Sequence, residues 1–271
     1  MKIGNREFNL DERTYIMGIL NVTPDSFSDG GKYNNLTEAL KHAEQMVIEG
    51  VDIIDVGGES SRPNYIHISD EEEIERIVPI IKELKRHYNV PISIDTYKSK
   101  VADAALAAGA DLINDIWGLK ADANMAKIIS KCDVPACIMH NRKEAIYQNF
   151  IVDVMLDIQD SIDIGLAAGI KRDKLIIDPG IGFAKTYEMN LIIMNRLEEL
   201  QQFGLPILLG TSKKSMIGLT LDEPVENRVE GTIATSVMGV IKGCNFVRVH
   251  DVLANLRAIK MTEAILCEHK L

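Results

Sequence analysis

The run YIMGILN at residues 15–21, followed by VTPDSFSDGG at residues 22–31, is the unit of sequence that decides the fold. The apolar run stops at Asn21, and the residues after it show neither a helical nor a strand period. A long loop without regular structure inside a compact domain is usually functional. A ligand site built on a buried strand is one interpretation, and an ordinary solvated loop around Phe27 is the other.

The same unit recurs eight times along the chain. Each unit is a short apolar run, then a polar residue, then an amphipathic helix. The runs are YIMGILN, VDIIDVGG, PISIDT, DLINDI, PACIMH, KLIIDPG, PILLGTS and FVRVHD, and they end at Asn21, Asp55, Asp95, Asn114, His140, Asp178, Thr211 and His250. Strands covered on both faces have such continuous apolar runs, and their alternation with helices predicts a parallel sheet with right-handed crossovers.

Eight units predict closure of the sheet into an α/β fold, a (β/α)8 TIM barrel that forms a single domain over residues 1–271. Residues 1–13 lack the pattern, and we expect a small hairpin or cap there. An open, doubly wound sheet is the alternative. No GxGxxG follows the first strand, and every strand ends in a polar residue, which favours the barrel.

Helical patterns lie between the predicted strands, and the clearest covers residues 70–87. Ser69 and Glu72 predict a capping box at its start, and Pro79 predicts either a kink or a later start. Asp251 is the expected cap of the last helix. The other helical patterns cover residues 37–49, 98–108, 124–130, 153–168, 187–202, 226–242 and 252–267.

The composition limits the class of partner. The chain is 46% hydrophobic and 26% charged, with a net charge of −10. An acidic surface argues against nucleic acid or an anionic membrane as the main partner. The four cysteines have no metal-ligand spacing, so we expect reduced thiols in a cytoplasmic protein. The sequence has no apolar signal segment at its start and no run long enough to span a membrane.

Polar residues at the strand ends point to one binding face, since barrel enzymes bind ligands at the carboxyl ends of their strands. Asp178 begins the tight turn DPGIGF, and with Asp95 and Asn114 it suits a flat, nitrogen-rich ring. Asp55 and Asp115 have an alternative role, in which they bond backbone amides or cap a helix.

Basic residues follow the last two predicted strands. Lys214 and Ser215 should open a helix whose free amides favour an anion, beside Arg248 and His250. The loops at this place hold phosphate in many barrels, although a lysine pair is often only a solvated face. No third imidazole lies at a matching strand end, so we expect any hard cation to take oxygen ligands such as Asn21.

Several long strings resemble those of the dihydropteroate synthase family, and the similarity covers nearly the whole chain. They are GILNVTPDSFSDGG at 18–31, DVGGESSRP at 55–63, SIDT at 93–96, NDI at 114–116, MHNR at 139–142, DPGIGFAK at 178–185, LLGTSKKS at 208–215, GT at 231–232 and FVRVHDV at 246–252. The resemblance implies condensation of a dihydropterin diphosphate with 4-aminobenzoate in folate synthesis. It also implies Mg²⁺ and a homodimer.

The resemblance implies a role for each matching position. The residues implied for the pterin are Asp95, Asn114, Asp178, Gly182, Phe183 and Lys214. Those for the diphosphate are Asn21, Ser61, Arg62, Arg248 and His250, with Asn21 reaching Mg²⁺. Those for 4-aminobenzoate are Phe27, Ser61, Arg62, Pro63, Lys214 and Ser215. The expected catalytic residues are Asp95, Lys214, Arg248 and His250.

This chain departs from the family pattern at two positions. Lys213 stands where the family usually has Arg, so the charge is kept and the planar fork is lost. Ser61 replaces a common Thr. Two other functions remain open at this point, a pterin-binding methyl transferase acting on a corrinoid protein and a non-catalytic pterin-binding protein. The aminobenzoate loops and Lys214-Ser215 argue against the methyl transferase.

Overall fold

Eight parallel strands form a ring with helices between them along the chain, which confirms the predicted fold class. The computed structural model describes residues 1–22, 32–59 and 67–268, and the backbone alone for residues 32–35. An antiparallel hairpin of β1 (Lys2–Ile3) and β2 (Arg6–Glu7) comes first. The ring strands are β3 (Tyr15–Asn21), β4 (Ile53–Gly57), β5 (Ile92–Asp95), β6 (Leu112–Asp115), β7 (Ala136–Met139), β8 (Leu175–Asp178), β9 (Leu208–Gly210) and β10 (Phe246–Val249).

Neighbouring strands pair in the order β8-β7-β6-β5-β4-β3-β10-β9. The remaining gap, between β8 and β9, is closed by a parallel bridge between Ile177 and Ile207. The Ile177 amide donates to the Pro206 carbonyl across this gap at 2.9 Å. Every predicted strand is present and ends within two residues of its predicted end, so the polar strand ends meet at one mouth of the barrel.

Helices cover the outside of the ring. They are α1 (Lys32–Glu49), α2 (Asp70–His87), α3 (Ser99–Ala108), α4 (Met125–Cys132), α5 (Phe150–Ala167), α6 (Tyr187–Asn195), α7 (Ser215–Leu221), α8 (Val229–Ile241) and α9 (Val252–Leu266). The helix predicted over 187–202 is divided, because a 3₁₀ helix, Leu197–Phe203, follows α6. Among the described residues, no helix is long and apolar enough to cross a membrane.

Helix α2 shows how local signals set a helix boundary. The Ser69 hydroxyl accepts a hydrogen bond from the Glu72 amide at 3.1 Å, which confirms the predicted cap. Its first turn is acidic and its last turn is basic, as the helix dipole favours. The helix begins at Asp70 and continues through Pro79, so the later start is wrong.

The end of the barrel opposite the mouth is closed by aromatic packing and by the hairpin. The ring of Phe8 lies 4.7 Å from that of Tyr15 and 6.0 Å from that of Phe246, measured between centroids. Buried Asp52 accepts hydrogen bonds from Arg6 at 2.8 Å and from Arg13 at 2.6 Å. These bonds fasten the N-terminal segment across this end of the barrel.

Candidate active site

Arg248 lies at the mouth of the barrel, and two carboxylates bind its guanidinium group. Its Nε donates to Asp55 Oδ2 and its Nη2 to Asp95 Oδ2, each at 2.6 Å. Asn114 Nδ2 donates to the same Asp55 oxygen at 3.2 Å. Four residues from strands β4, β5, β6 and β10 are thus joined into one network, in which Arg248 is kept in a fixed orientation.

Burial and the neighbouring charges shift the pKa values in this network. Burial, with help from the Asp55 charge, raises the pKa of Asp95 to about 7 although Arg248 opposes the shift. The two carboxylates raise the pKa of Arg248 despite its burial, so the guanidinium stays charged. Asp55 Oδ1 is buried and accepts no hydrogen bond from the described residues. Among the described residues of this network, Arg248 is therefore a permanent cation held between two buried acids.

Asp178 lies at the end of β8, beside this network. Its Oδ1 accepts from the Gly180 amide at 2.7 Å, and burial raises its pKa. Gly210 separates it from Arg248: a Cβ at Gly210 would lie 3.8 Å from Asp178 Oδ2 and 3.9 Å from Arg248 Cβ. Asp178 and Arg248 therefore flank one space, which the missing side chain of Gly210 leaves open.

Lys214 closes the side of the mouth next to Asp178. Its Nζ donates to the Ile181 carbonyl and lies 4.6 Å from the ring centroid of Phe183. Burial lowers the pKa of Lys214 to about 8, against the attraction of Asp178. Gly182 has a φ of +83°, and a Cβ there would come within 3.1 Å of Lys214 Cδ. The lysine stem and the turn after β8 therefore pack directly on each other.

The rim above β9 and β10 holds the remaining basic residues. His250 Nδ1 is 2.9 Å from the Ser212 hydroxyl. Lys213 Nζ lies 3.1 Å from Asp251 Oδ2, so the lysine makes a salt bridge without the planar fork. Asp251 stands at the cap position of α9 but makes no side-chain cap bond, so that prediction is wrong. Ser215 is exposed at the start of α7, as the predicted helix opening requires.

Asn21 ends β3 on the side of the mouth next to β4. Its Oδ1 would be 3.5 Å from a Cβ at Gly57, which brings it to the open space above that strand. Within the described ranges no three His, Cys, Asp or Glu side chains are grouped to hold a metal ion. An amide oxygen suits a hard cation that takes most of its ligands from a bound anion and water.

Four predicted site residues lie outside the described residues: Phe27, Ser61, Arg62 and Pro63. The structure brings together Asp95, Asn114, Asp178, Lys214 and Arg248, with Gly182 and Phe183 on the turn beside them.

Asp55 and Asp115, the two acids that could instead bond backbone amides or cap a helix, have different roles in the structure. Asp115 accepts from the backbone amides of Trp117 and Leu119, each at 2.8 Å, as that alternative predicted. Asp55 instead bonds Arg248, a site contact that was not predicted. Its position two residues after inward-facing Ile53 on β4 is the signal in the sequence that indicates this role.

Comparisons with known proteins agree over nearly the whole chain. A family model described as pterin binding enzyme matches residues 17–250. A dihydropteroate synthase of Clostridium beijerinckii is 60% identical over 98% of this chain and 99% of that protein. A crystal structure of the Clostridium difficile dihydropteroate synthase in the presence of pteroic acid has a TM-score of 0.92 at 49% identity, covering 98% of both chains. That of Xanthomonas albilineans with 4-aminobenzoic acid has a TM-score of 0.91 at 38% identity, covering 95% of this chain and 94% of the other.

Proposed function

This chain belongs to the dihydropteroate synthases of the pterin-binding enzyme family, and we propose that it joins (7,8-dihydropterin-6-yl)methyl diphosphate to 4-aminobenzoate. It is a transferase of folate biosynthesis, and its products are 7,8-dihydropteroate and pyrophosphate. The observation that carries the assignment of roles is the network of Arg248 with Asp55 and Asp95, beside Asp178.

The acidic side of the mouth suits the pterin ring. Asp178 offers a buried acceptor for the paired N–H groups of the heterocycle, and Asn114 and Asp95 offer further polar contacts. Phe183 and Gly182 would cover a face of the ring, next to the Lys214 stem. A negative charge on Asp95 would also offset the positive charge that develops on the ring when the diphosphate leaves.

The basic side suits the diphosphate. Arg248 uses its Nε and Nη2 donors on carboxylates, and no bond from Nη1 is found within the described residues. A guanidinium group has five N–H donors, so Arg248 can bind the leaving group without releasing its two partners. We propose that His250 and Asn21 complete this anion site. The bond between the methylene carbon and the diphosphate oxygen breaks, and the electron pair leaves with pyrophosphate.

The second step needs positioning more than base catalysis, because an aromatic amine is already a free nucleophile at neutral pH. Its nitrogen forms the new bond to the methylene carbon and then loses a proton to solvent. We propose that Ser215 lies near the carboxylate of 4-aminobenzoate, and that Lys214, Phe27, Ser61, Arg62 and Pro63 also contact this substrate. The exposed position of Ser215 at the start of α7 supports this role.

We propose that the Asn21 amide oxygen would help to hold Mg²⁺ when the substrate diphosphate is bound. Such a site fits the described residues, which offer an oxygen donor at the mouth and no cluster that would hold a metal alone. When bound, the ion would supply charge that neutralises the leaving group.

The activity is tested by pyrophosphate release. Purified protein with Mg²⁺ and the dihydropterin diphosphate should release pyrophosphate and form pteroate only when 4-aminobenzoate is added. The Asp178→Asn variant should lose most of this activity, since the amide presents an NH2 group, which can only donate, to the donors of the ring. A folded protein that forms no pteroate would contradict the proposal.

We also propose a homodimer, in which a second copy covers the apolar surface of the last three helices. The exposed apolar residues of this surface are Leu219, Leu221, Met238, Ile241, Met261 and Ile265. Exposed apolar side chains on neighbouring helices are typical of an interface when they form one patch. Sedimentation should show a dimer. The double variant Met261→Glu with Ile265→Glu should dissociate it, whereas Leu156→Glu on α5 should leave it intact.

A cytoplasmic location is supported by the four free cysteines.

A further inference from the structure

The turn between β8 and α6 is held by Lys185, whose Nζ contacts both the turn and the end of β7. Lys185 Nζ donates to the carbonyl oxygens of Gly180 at 2.9 Å and Phe183 at 3.1 Å. The same nitrogen lies 2.8 Å from His140 Nδ1, at the end of β7. Lys185 thus ties both ends of the segment that presents Gly182 and Phe183 to the neighbouring strand.

The protonation states of this cluster follow from its geometry. Burial lowers the pKa of His140 to about 4, so the ring is neutral near pH 7. At pH 6 Lys185 is charged, and an ammonium group offers only donors, so His140 Nδ1 has to accept from it. The proton of the ring then lies on Nε2, which donates to Asp157 Oδ2 at 3.0 Å. Arg142 Nε donates to the same oxygen at 2.5 Å, which fixes the far end of the cluster.

The backbone of the turn fits closely against β7. Gly180 has a φ of +69°, and a Cβ there would lie only 2.0 Å from the His140 carbonyl oxygen. The Tyr147 hydroxyl donates to the Ala184 carbonyl at 2.8 Å on the other side. The turn has no room to shift toward β7, so a loss of the Lys185 bonds would release it in the direction of the mouth.

We propose that Lys185, oriented by His140, is a positioning residue that holds the turn after β8 and thereby sets the affinity for the pterin substrate. This inference rests on the proposed function, because it takes Gly182 and Phe183 to cover the pterin ring. Lys185 itself touches no reacting atom, so its removal should raise KM for the pterin substrate and leave kcat little changed.

Two substitutions at His140 separate the two bonds of the ring. Asn places an oxygen near the position of Nδ1, so His140→Asn keeps the acceptor for Lys185 and loses the donor to Asp157. Gln reaches the position of Nε2, so His140→Gln keeps the donor to Asp157 and loses the acceptor. Lys185→Met removes all three lysine bonds. Lys242→Met is a matched control, because Lys242 likewise bonds a carbonyl, that of Asn195, and the Glu198 carboxylate, outside the residues of the mouth.

Steady-state kinetics on the full chain at pH 6 test the inference, because burial lowers the pKa of Lys185 to about 7 and this pH keeps it charged. Lys185→Met and His140→Gln should raise KM for the dihydropterin diphosphate at least about tenfold, with kcat within about threefold of wild type. His140→Asn and Lys242→Met should keep the wild-type KM. Lys185→Gln gives the same readout if the Met variant does not fold.

Two results would overturn the inference. One is an unchanged KM in Lys185→Met and His140→Gln, and the other is an equal rise in both His140 variants. Wild-type protein that is folded but inactive would instead contradict the proposed function, so the two failures are distinguishable.

Discussion

Two layers of side chains lie inside the barrel, two residues apart on the same strands. The lower layer is apolar, and the upper, charged layer holds charged side chains and one amide. The pairs, from the closed end to the mouth, are Ile53 and Asp55, Leu112 and Asn114, Ile176 and Asp178, and Phe246 and Arg248. Because side chains alternate along a strand, both members of each pair point inward. Backbone geometry is therefore the same in the two layers, and only the side chains differ.

The two layers contribute to stability in opposite ways. Burying an apolar side chain in the lower layer stabilises the fold by about 1.5–3 kcal/mol. Buried charges cost free energy unless partners satisfy them, and a hydrophobic replacement of such a pair is often neutral or stabilising. The charged layer is thus explained by ligand binding and not by folding. Substitutions in the lower layer should lower stability, and those in the upper layer should lower activity.

The largest effect is expected in the lower layer, for Phe246→Ala. Phe246 is fully buried and packs on the rings of Phe8 and Tyr15, so the variant leaves a cavity. We expect the free energy of unfolding to fall by about 3–5 kcal/mol. Urea unfolding measures this loss. The variant that remains folded should keep the wild-type KM for the dihydropterin diphosphate. A large rise in KM would contradict the claim that the lower layer affects stability and not substrate binding.

A comparable effect on activity is expected in the upper layer, for Arg248→Met. The variant removes the cation that we assign to the leaving diphosphate, so kcat/KM should fall about 10²–10³-fold, or about 3–4 kcal/mol. Arg248→Lys is the control, because it keeps the charge but cannot bond Asp55 and Asp95 with one rigid group. Activity above a tenth of wild type in Arg248→Met would contradict the assignment.

A smaller effect, on the pH dependence of stability, is expected for Asp95→Asn. Burial raises the pKa of Asp95 from its ordinary value of 3.8 to about 7 in the folded protein. The folded state then binds the Asp95 proton more tightly than the unfolded state does. Protonation of Asp95 therefore favours folding, and this contribution to the free energy of unfolding is lost as the pH rises from about 4 to 7.

The Asn side chain does not titrate, so Asp95→Asn should gain stability relative to wild type as the pH rises over this range, by at most about 1.4 kcal/mol per pH unit. Thermal unfolding at a series of pH values measures the difference between the two proteins. A surface carboxylate, Asp103→Asn, is the control. Parallel curves for wild type and Asp95→Asn would mean that the charged layer costs no stability.

Much of the fold could be predicted because its signals are local. A strand covered on both faces is a short apolar run, and a polar residue at its end stands out from that run, so residues such as Asp178 and Arg248 were found. The bond between Arg248 and Asp55 joins positions 193 residues apart, and the one between Lys185 and His140 spans 45 residues. No periodicity along the chain indicates such partners, because closure of the ring brings them together.

Asp251 shows how a local rule, the prediction of a helix cap from the residue before the helix, fails when a distant segment supplies another partner. An acid just before a helix predicts a cap, but the carboxylate has a stronger partner in Lys213, which reaches it from the loop after β9. The positive charge of Lys213, on a distant segment, thus favours the salt bridge over the cap bond to the helix backbone. This salt bridge lies on the rim, beyond the charged layer, and it marks the place to test how far that layer extends.

The smallest effect is expected for Lys213→Arg, the substitution that restores the residue implied by the family resemblance. The Lys213 and Asp251 side chains are each about a quarter to a third exposed, so water screens their attraction. A planar fork would add one hydrogen bond to a salt bridge that already exists, and such pairs contribute at most about 1 kcal/mol. We expect kcat/KM within about twofold of wild type. Lys213→Met removes the pair and is the matched comparison. If Lys213→Arg instead changed kcat/KM tenfold, the rim would belong to the catalytic layer, and the boundary between the two regions would lie higher in the barrel.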